Sequence, residues 1–510
     1  MTAPAEPWTR RAPVDLPGPE GDNSIAREPL WYAYGAGDDA PEPPPWTWAA
    51  TPPPDAHVPP PPPRPPGPAT PLPPGTTDRL AALPYPWLPA PGTASPQALA
   101  HALTATFAPL RREPENPYNE HRPYASPRCL FPVHAFAGDG RDWRLLEPAR
   151  HTLTGPGTGT PGRIALTGRY TAIPRAYQWF RGSLVAIETG MVLRALSLGL
   201  ELFGAPATLT PPTADGPELL RELGVEHTWE WSLPWLVDVD RPLPSLHRPA
   251  EPEQPAPEWD PSLRQVIDVD RGSLRGAGNC ATSHTQPAPL TTAVPSALPN
   301  SPHTPTWSDL LWHRHSGRMP RALHGMDSAK CLTPLPTRAL TTALAWLGVP
   351  PPHPLLAEAF DEVTVTAVVQ HIDGHAPGIH GVHDGTAHLL RRDPTAPAGL
   401  EANYGYGLTP VNGCGIANAP LTVFFSVRPR ALFARFGPAG WSAAQHACGW
   451  AVHGLCLAAA AEGLFARPVR AFKEIQTKEV LGLSEDETIV LSAVAGVPRE
   501  TGGAVLDLRT

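Results

Sequence analysis

The residues best equipped for chemistry are Arg314, Ser316 and Arg318, which alternate within TWSDLLWHRHSGRMPRALHG. Guanidinium forks match phosphate oxygens in charge and geometry, and a hydroxyl between them adds a donor, so the triplet reads as an anion clamp. Arginines near a helix end are also ordinary surface residues, so the pattern acts only if one element aims all three at one point. The six cysteines (Cys129, Cys280, Cys331, Cys414, Cys448, Cys456) lack the close pairing of a zinc site or a disulfide framework, and no metal site is expected. No G-x-G-x-x-G follows a strand and opens a helix, which argues against a dinucleotide cofactor.

The chain that must position these groups has 510 residues, enough for two or three domains with their own cores. Its 48 acidic and 39 basic residues leave a net charge of -9 and no basic stripe, so nucleic acid is excluded as an expected partner. The N-terminal residues MTAPAEPWTRRAPVDLPGPEGD have no apolar core of signal length, and a reducing cytoplasm is expected. Two long apolar stretches, Ser183 to Gly204 and Ser442 to Leu464, invite a membrane reading. Glu188, Arg194 and Glu201 in the first, and Gln445, His446, His453 and Glu462 in the second, are costly in hydrocarbon. Central helices of a folded core are expected instead, with no membrane partner.

Seventy-three prolines cluster in residues 1 to about 90 and about 240 to 305, where helix is blocked and linkers are expected. The run from Pro59 to Pro74 should be a polyproline spacer, and Trp8, Trp31, Trp46 and Trp48 ahead of it should dock on a partner surface. The resulting plan is a tail (1–84), a first domain (85–240), a linker (241–302) and a second domain (303–510). The two domains repeat one another. GMVLRALSLGLELFG from Gly190 matches GWAVHGLCLAAAAEG from Gly449 at a constant offset, 449 − 190 = 259, which also pairs Gly204 with Gly463. A shorter helix precedes each (SPQALAHALTATF; PTRALTTALAWLG), and strand-like runs follow the same order: CLFPVHAFA, GRIALTG and PWLVDVD, then EVTVTAVVQHI, LTVFFSV and TIVLSAVAG.

With its arginine triplet, its helix order, EGLFARPVRAFKE (Glu462 to Glu474) and VLGLSEDETIVLSAVAGVPRE, the second domain resembles the nitroreductase-like FMN enzymes. The resemblance implies an α+β fold, two tandem diverged nitroreductase-like domains with helices packed on antiparallel sheets and joined as a pseudo-dimer. It implies FMN held by Arg314, Ser316 and Arg318, a glycine–small–proline turn at Pro468, Val469 and Arg470 beside the flavin ring, and Arg499 reaching the phosphate. The first domain has no R-x-S-x-R, but its HRPYASPRCLFPVHAF resembles the proline–serine turn that this family lends across its dimer interface, placing Ala125, Ser126, Pro127 and Arg128 at the partner's flavin. The matching stretch of the second domain, VPPPHPLLAEAFDEVTVTAVV, has no such turn, so one complete composite site and one FMN per chain are expected.

Within that family the chain is most similar to the azoline dehydrogenases of streptolysin-like, cyanobactin-like and thiopeptide-like peptide biosynthesis, which carry a Lys-Tyr pair ahead of the long helix. Here those positions are Ala176-Tyr177 and Arg435-Phe436, again 259 apart (435 − 176), so only Tyr177 is kept and the lysine is missing. The resemblance implies oxidation of thiazolines or oxazolines in a precursor peptide, with Tyr177 as the catalytic residue and cyclodehydratase proteins as further partners. Two other readings stay open: a nicotinamide-fed nitro or quinone reductase, and a non-catalytic scaffold for precursor peptide or cyclodehydratase.

Overall fold

A computed structural model describes most of residues 63–510; the longest stretches outside the description are 1–62, 240–252, 275–283, 318–328 and 405–414. Trp8, Trp31, Trp46, Trp48 and Arg318 therefore lie outside the described residues.

The first copy opens with helix α1 (Pro96–Phe107), and Pro96 suits a first helical turn whose N–H groups have no intrahelical acceptor. Its strands β2 (Val133–Gly138), β3 (Trp143–Glu147), β4 (Thr152–Thr154), β5 (Arg163–Gly168), β6 (Ala207–Thr210) and β7 (Trp235–Val239) form an antiparallel sheet. With the short edge strands β1 (Ala69–Pro71) and β8 (Ala288–Pro289) the order is β1-β4-β3-β2-β5-β7-β6-β8. The second copy's sheet, of β9 (Thr364–Val369), β10 (Gly378–His383), β11 (Thr386–Arg392), β12 (Leu421–Val427), β13 (Phe465–Val469) and β14 (Thr488–Gly496), has the order β11-β10-β9-β12-β14-β13. The run β3-β2-β5-β7-β6 is thus repeated as β10-β9-β12-β14-β13. The duplication expected from register is present in sheet topology.

Each copy threads one long helix through the centre: α2 (Phe180–Leu202) and, in the second copy, its counterpart Ala439–Ala461. Both span 23 residues at the expected offset, 439 − 180 = 461 − 202 = 259. Both are apolar on every side because both are covered on every side. Just past their ends Gly204 (φ 65°) and Gly463 (φ 69°) take the left-handed conformation that closes a helix with least strain. Helix Phe180–Leu202 is long and apolar enough to cross a membrane, but 89% of its apolar window is buried in the fold, so it is a core helix. One hydrophobic core runs through both copies, joining Leu193 and Leu196 to Leu455 and Trp450. Arg194, fully buried there, donates to the carbonyls of Trp450 and Trp346 at 3.0 Å each and lies against both indole rings.

Two proline-rich stretches differ from expectation: the linker, in which proline should block helix, contains one, and part of the proline run is β-strand, not polyproline helix. Within the linker, Pro261–Gly272 is helix α3, started by Asp260, whose carboxylate accepts the Leu263 N–H. Buried Arg181 of α2 holds Asp260 at 2.8 Å, which fastens this helix to the first copy. The end of the proline run is edge strand β1, paired antiparallel with β4, a place where a missing N–H is tolerated. The second copy's helices include α4 (Trp307–His313), α5 (Thr337–Leu347) and α6 (Pro354–Asp361), and its long helix is α7.

Candidate active site

The turn from Ala125 to Phe131 is the most constrained backbone near the interface of the copies. Arg128, Cys129 and Phe131 all have positive φ (50°, 55°, 49°), a conformation costing a non-glycine residue about 1–3 kcal/mol. Glu188 of α2 offsets that cost. Ser126 Oγ donates to Glu188 Oε2 at 2.6 Å and accepts the Phe131 N–H at 2.8 Å, while the Val133 N–H donates to Glu188 Oε1 at 3.4 Å. Burial pushes the Glu188 carboxyl up to about 8, with the Ser126 and Val133 hydrogen bonds opposing the shift. The matching residue of α7 is Ala447, so this anchor exists only in the copy that carries the turn. Beneath it, Ala125 packs in the core, Pro127 follows the extended Ser126, and the Arg122 guanidinium lies 3.9 Å from the Phe131 ring centre.

The second copy meets the segment just ahead of this turn through Arg314, the residue that ends α4. Its Nε donates to the carbonyl of Arg122 at 3.0 Å. The side chain is buried (3% exposed), and its Nη1 has no hydrogen-bond partner among the described residues. Desolvation accordingly lowers its pKa. A buried guanidinium N–H with no partner among the described residues suits an anionic oxygen. Ser316, half-buried, is held through its carbonyl, which accepts from Arg467 Nε at 2.7 Å; the carbonyl of His315 accepts the Ala466 N–H. Strand β13 thereby fixes the backbone of His315 and Ser316.

Pro468 and Val469 depart from expectation. They do not form a turn but lie in β13, opposite Ala493 and Ser492 of β14, and proline is accepted there because β13 is an edge strand. Arg470 follows directly; its guanidinium sits 5.6 Å from the Phe180 ring centre of the first copy, 4.7 Å from that of Phe472, and 3.6 Å from Glu474. Burial raises Glu474 to about 7, against the pull of Arg470 and the Ile489 N–H. Arg499 is exposed in the bend after β14.

Tyr177 closes the 3-10 turn Arg175–Tyr177, three residues ahead of α2, and is half-buried. The Arg128 guanidinium lies 5.4 Å from its ring centre, so turn and tyrosine share one place. The counterpart pair of the second copy is otherwise engaged: Arg435 bridges Glu362 and Glu358 at the surface, and Phe436 is fully buried. The fold therefore brings Arg314 to the lent segment, Arg128 to Tyr177 and Arg470 to Phe180. Sequence reasoning missed Glu188, Arg122 and Arg467 as parts of this arrangement. A charge inside an otherwise apolar helix was the available signal for Glu188; nothing local distinguished the other two.

Residues 376–497 match the Nitroreductase family model, described as the nitroreductase family. A solved protein of Anabaena variabilis, assigned as a nitroreductase, superposes on 79% of this chain and 88% of its own with a TM-score of 0.56 and 15% identity, which shows the fold. Similarity also extends to the Escherichia coli microcin synthetase McbBCD complex with truncated pro-MccB17 (34% of this chain, 68% of that one, 11% identity, TM-score 0.30). A Ralstonia eutropha protein assigned as a nitroreductase matches 41% of this chain and 90% of its own at 17% identity and a TM-score of 0.29. No curated protein sequence matches the chain.

Proposed function

We propose, from a nitroreductase fold duplicated within one chain, an FMN-dependent dehydrogenase that oxidises thiazolines or oxazolines to azoles in a ribosomally made precursor peptide. The observation that carries this reading is the Arg128–Tyr177 contact, formed on a strained turn just after Arg122, whose carbonyl accepts from Arg314 of the other copy. Catalytic and anion-binding groups from complementary halves then serve a single site.

In this reading Arg314, Ser316 and Arg318 hold the FMN phosphate, with Arg499 reaching toward it, while Ala125 to Arg128 and Pro468 to Arg470 flank the ring. FMN held there would supply the two-electron oxidation of the azoline, with oxygen as the terminal oxidant. Tyr177 relays the proton lost from the neighbouring ring carbon to water, and Arg128 steadies charge on the phenol. A phenol ordinarily titrates near ~10, so the Arg128 cation matters to that role. Glu188 keeps Ser126 and the turn in place. The partners are the precursor peptide and cyclodehydratase proteins, and the setting is the cytoplasm.

The test is purification of the full chain, release of its flavin by denaturation, and incubation with a thiazoline peptide in air. One FMN per chain and the loss of two hydrogens per ring are expected. A colourless protein would overturn the reading in favour of a scaffold, and rapid anaerobic bleaching by a nicotinamide cofactor without ring oxidation would favour a reductase. Two FMN per chain would overturn the composite site.

A further inference from the structure

The pseudo-two-fold axis that builds this site also generates its mate across the α2–α7 crossing. Phe180 and Arg470 meet in the candidate active site; the residues related to them by the offset of 259 are Ala439 and Pro211. Both line a cavity of about 970 Å³, open mouth included, which lies between the copies. Proline stands where the candidate active site has arginine, and Leu355 of α6 lines the wall that has no lent turn. Helix α3 contributes Val266 and Val269, and α2 contributes Val185 and Ala186. Among its described lining residues none is lysine or arginine.

Several of its polar groups face defined partners; His284 Nε2, for one, lies 3.1 Å from Glu358 Oε1. Trp235 Nε1 donates to His446 Nε2 at 3.2 Å, which leaves the proton of that ring on Nδ1, facing the carbonyl of Ser442 at 2.5 Å. Burial lowers His446 to about 4, so the ring is neutral at physiological pH. Asp270, the carboxylate in the wall, is paired with Arg271 and accepts the Leu233 N–H at 3.0 Å. Gln445 differs from all of these. It lines the cavity, is 2% exposed, and its amide nitrogen has no hydrogen-bond partner among the described residues. A buried donor left unpaired costs about 1–3 kcal/mol, which an acceptor on a ligand would recover. A phosphate entering here would shed its water without meeting a lysine or arginine among the described lining residues, whereas a flat neutral ring would meet the Trp235 indole and aliphatic walls.

We propose that this cavity binds a neutral, flat aromatic ligand that offers Gln445 a carbonyl or ring-nitrogen acceptor, and that it excludes phosphorylated flavin. The inference is independent of the proposed dehydrogenase activity, because neither the clamp nor Tyr177 takes part. Coumarin is a suitable probe, being neutral, bicyclic and carbonyl-bearing. Titration calorimetry of the full chain as purified should find one coumarin per chain, and a soaked crystal should place it between Trp235 and Gln445. Gln445→Leu should weaken binding roughly two- to tenfold, the loss of one neutral hydrogen bond. Ala186→Trp, which fills the cavity from α2, should abolish it. Flavin content should be the same in both variants. No coumarin binding by the parent chain, binding that survives both substitutions, or competition between coumarin and added FMN would overturn the proposal. If Ala186→Trp does not fold, Gln445→Leu and the soaked crystal decide.

Discussion

Gly190 of α2 and Gly449 of α7 face each other where the two long helices cross. A Cβ added to Gly190 would overlap the carbonyl oxygen of His446, and one added to Gly449 would overlap that of Ile187. Ile187 and His446 are themselves 259 apart (446 − 187), so the contact is reciprocal, as at a two-fold dimer interface. The absence of both side chains lets the helix backbones touch and sets the spacing of the two copies.

Gly190→Ala should therefore force the helices apart. Overpacking of a tight core typically costs about 1–3 kcal/mol, which lowers Tm by several degrees. Gly399→Ala is the control, since its Cβ would rest 3.5 Å from Val480 Cγ2 in ordinary contact. Thermal unfolding checks the pair; equal Tm values would mean that the crossing is not close-packed.

Arg314→Ala should purify with little flavin, because a charge-assisted contact contributes about 1.5–3 kcal/mol, or roughly ten- to a hundredfold in affinity. The ratio of flavin absorbance to protein absorbance measures it. Full occupancy would remove Arg314 from the phosphate site and leave its Nη1 to some other partner.

Tyr177→Phe should retain flavin yet oxidise azolines about 10²- to 10⁴-fold more slowly, since only the hydroxyl is lost and the ring still lies under Arg128. Single-turnover assays with a thiazoline peptide provide the number. An unchanged rate would make Tyr177 a packing residue.

Glu188 makes stability depend on pH in a defined direction. Its carboxyl is raised from 4.5 to about 8 on folding, so between those values the folded state holds a proton that the unfolded state has lost. Stability from this group is fully present below pH 4.5 and falls as pH climbs through about 8. Glu188→Gln is permanently neutral and should flatten that part of the Tm–pH curve, with its advantage over the parent growing toward pH 8. Parallel curves for the two proteins would show that Glu188 is already ionised in the fold.

What the sequence determined by itself was local and periodic. The two 23-residue helices, the glycines that close them and the buried strands such as LTVFFSV were legible because helix and strand patterning are written in consecutive residues. The duplication was legible because one offset, 259, recurred across that patterning. The arginine triplet and the serine turn could be named from residue type. That Pro468 would sit in an edge strand, and that Pro261–Gly272 would fold as a helix on Arg181, could not be read, because both depend on neighbours far along the chain. The site itself was decided only by tertiary structure. Arg314 reaches the carbonyl of Arg122 across 192 positions, and Ser126 finds Glu188 across 62. Such pairings depend on how elements far apart in the chain pack together, and no local pattern encodes the angle or distance at which they meet.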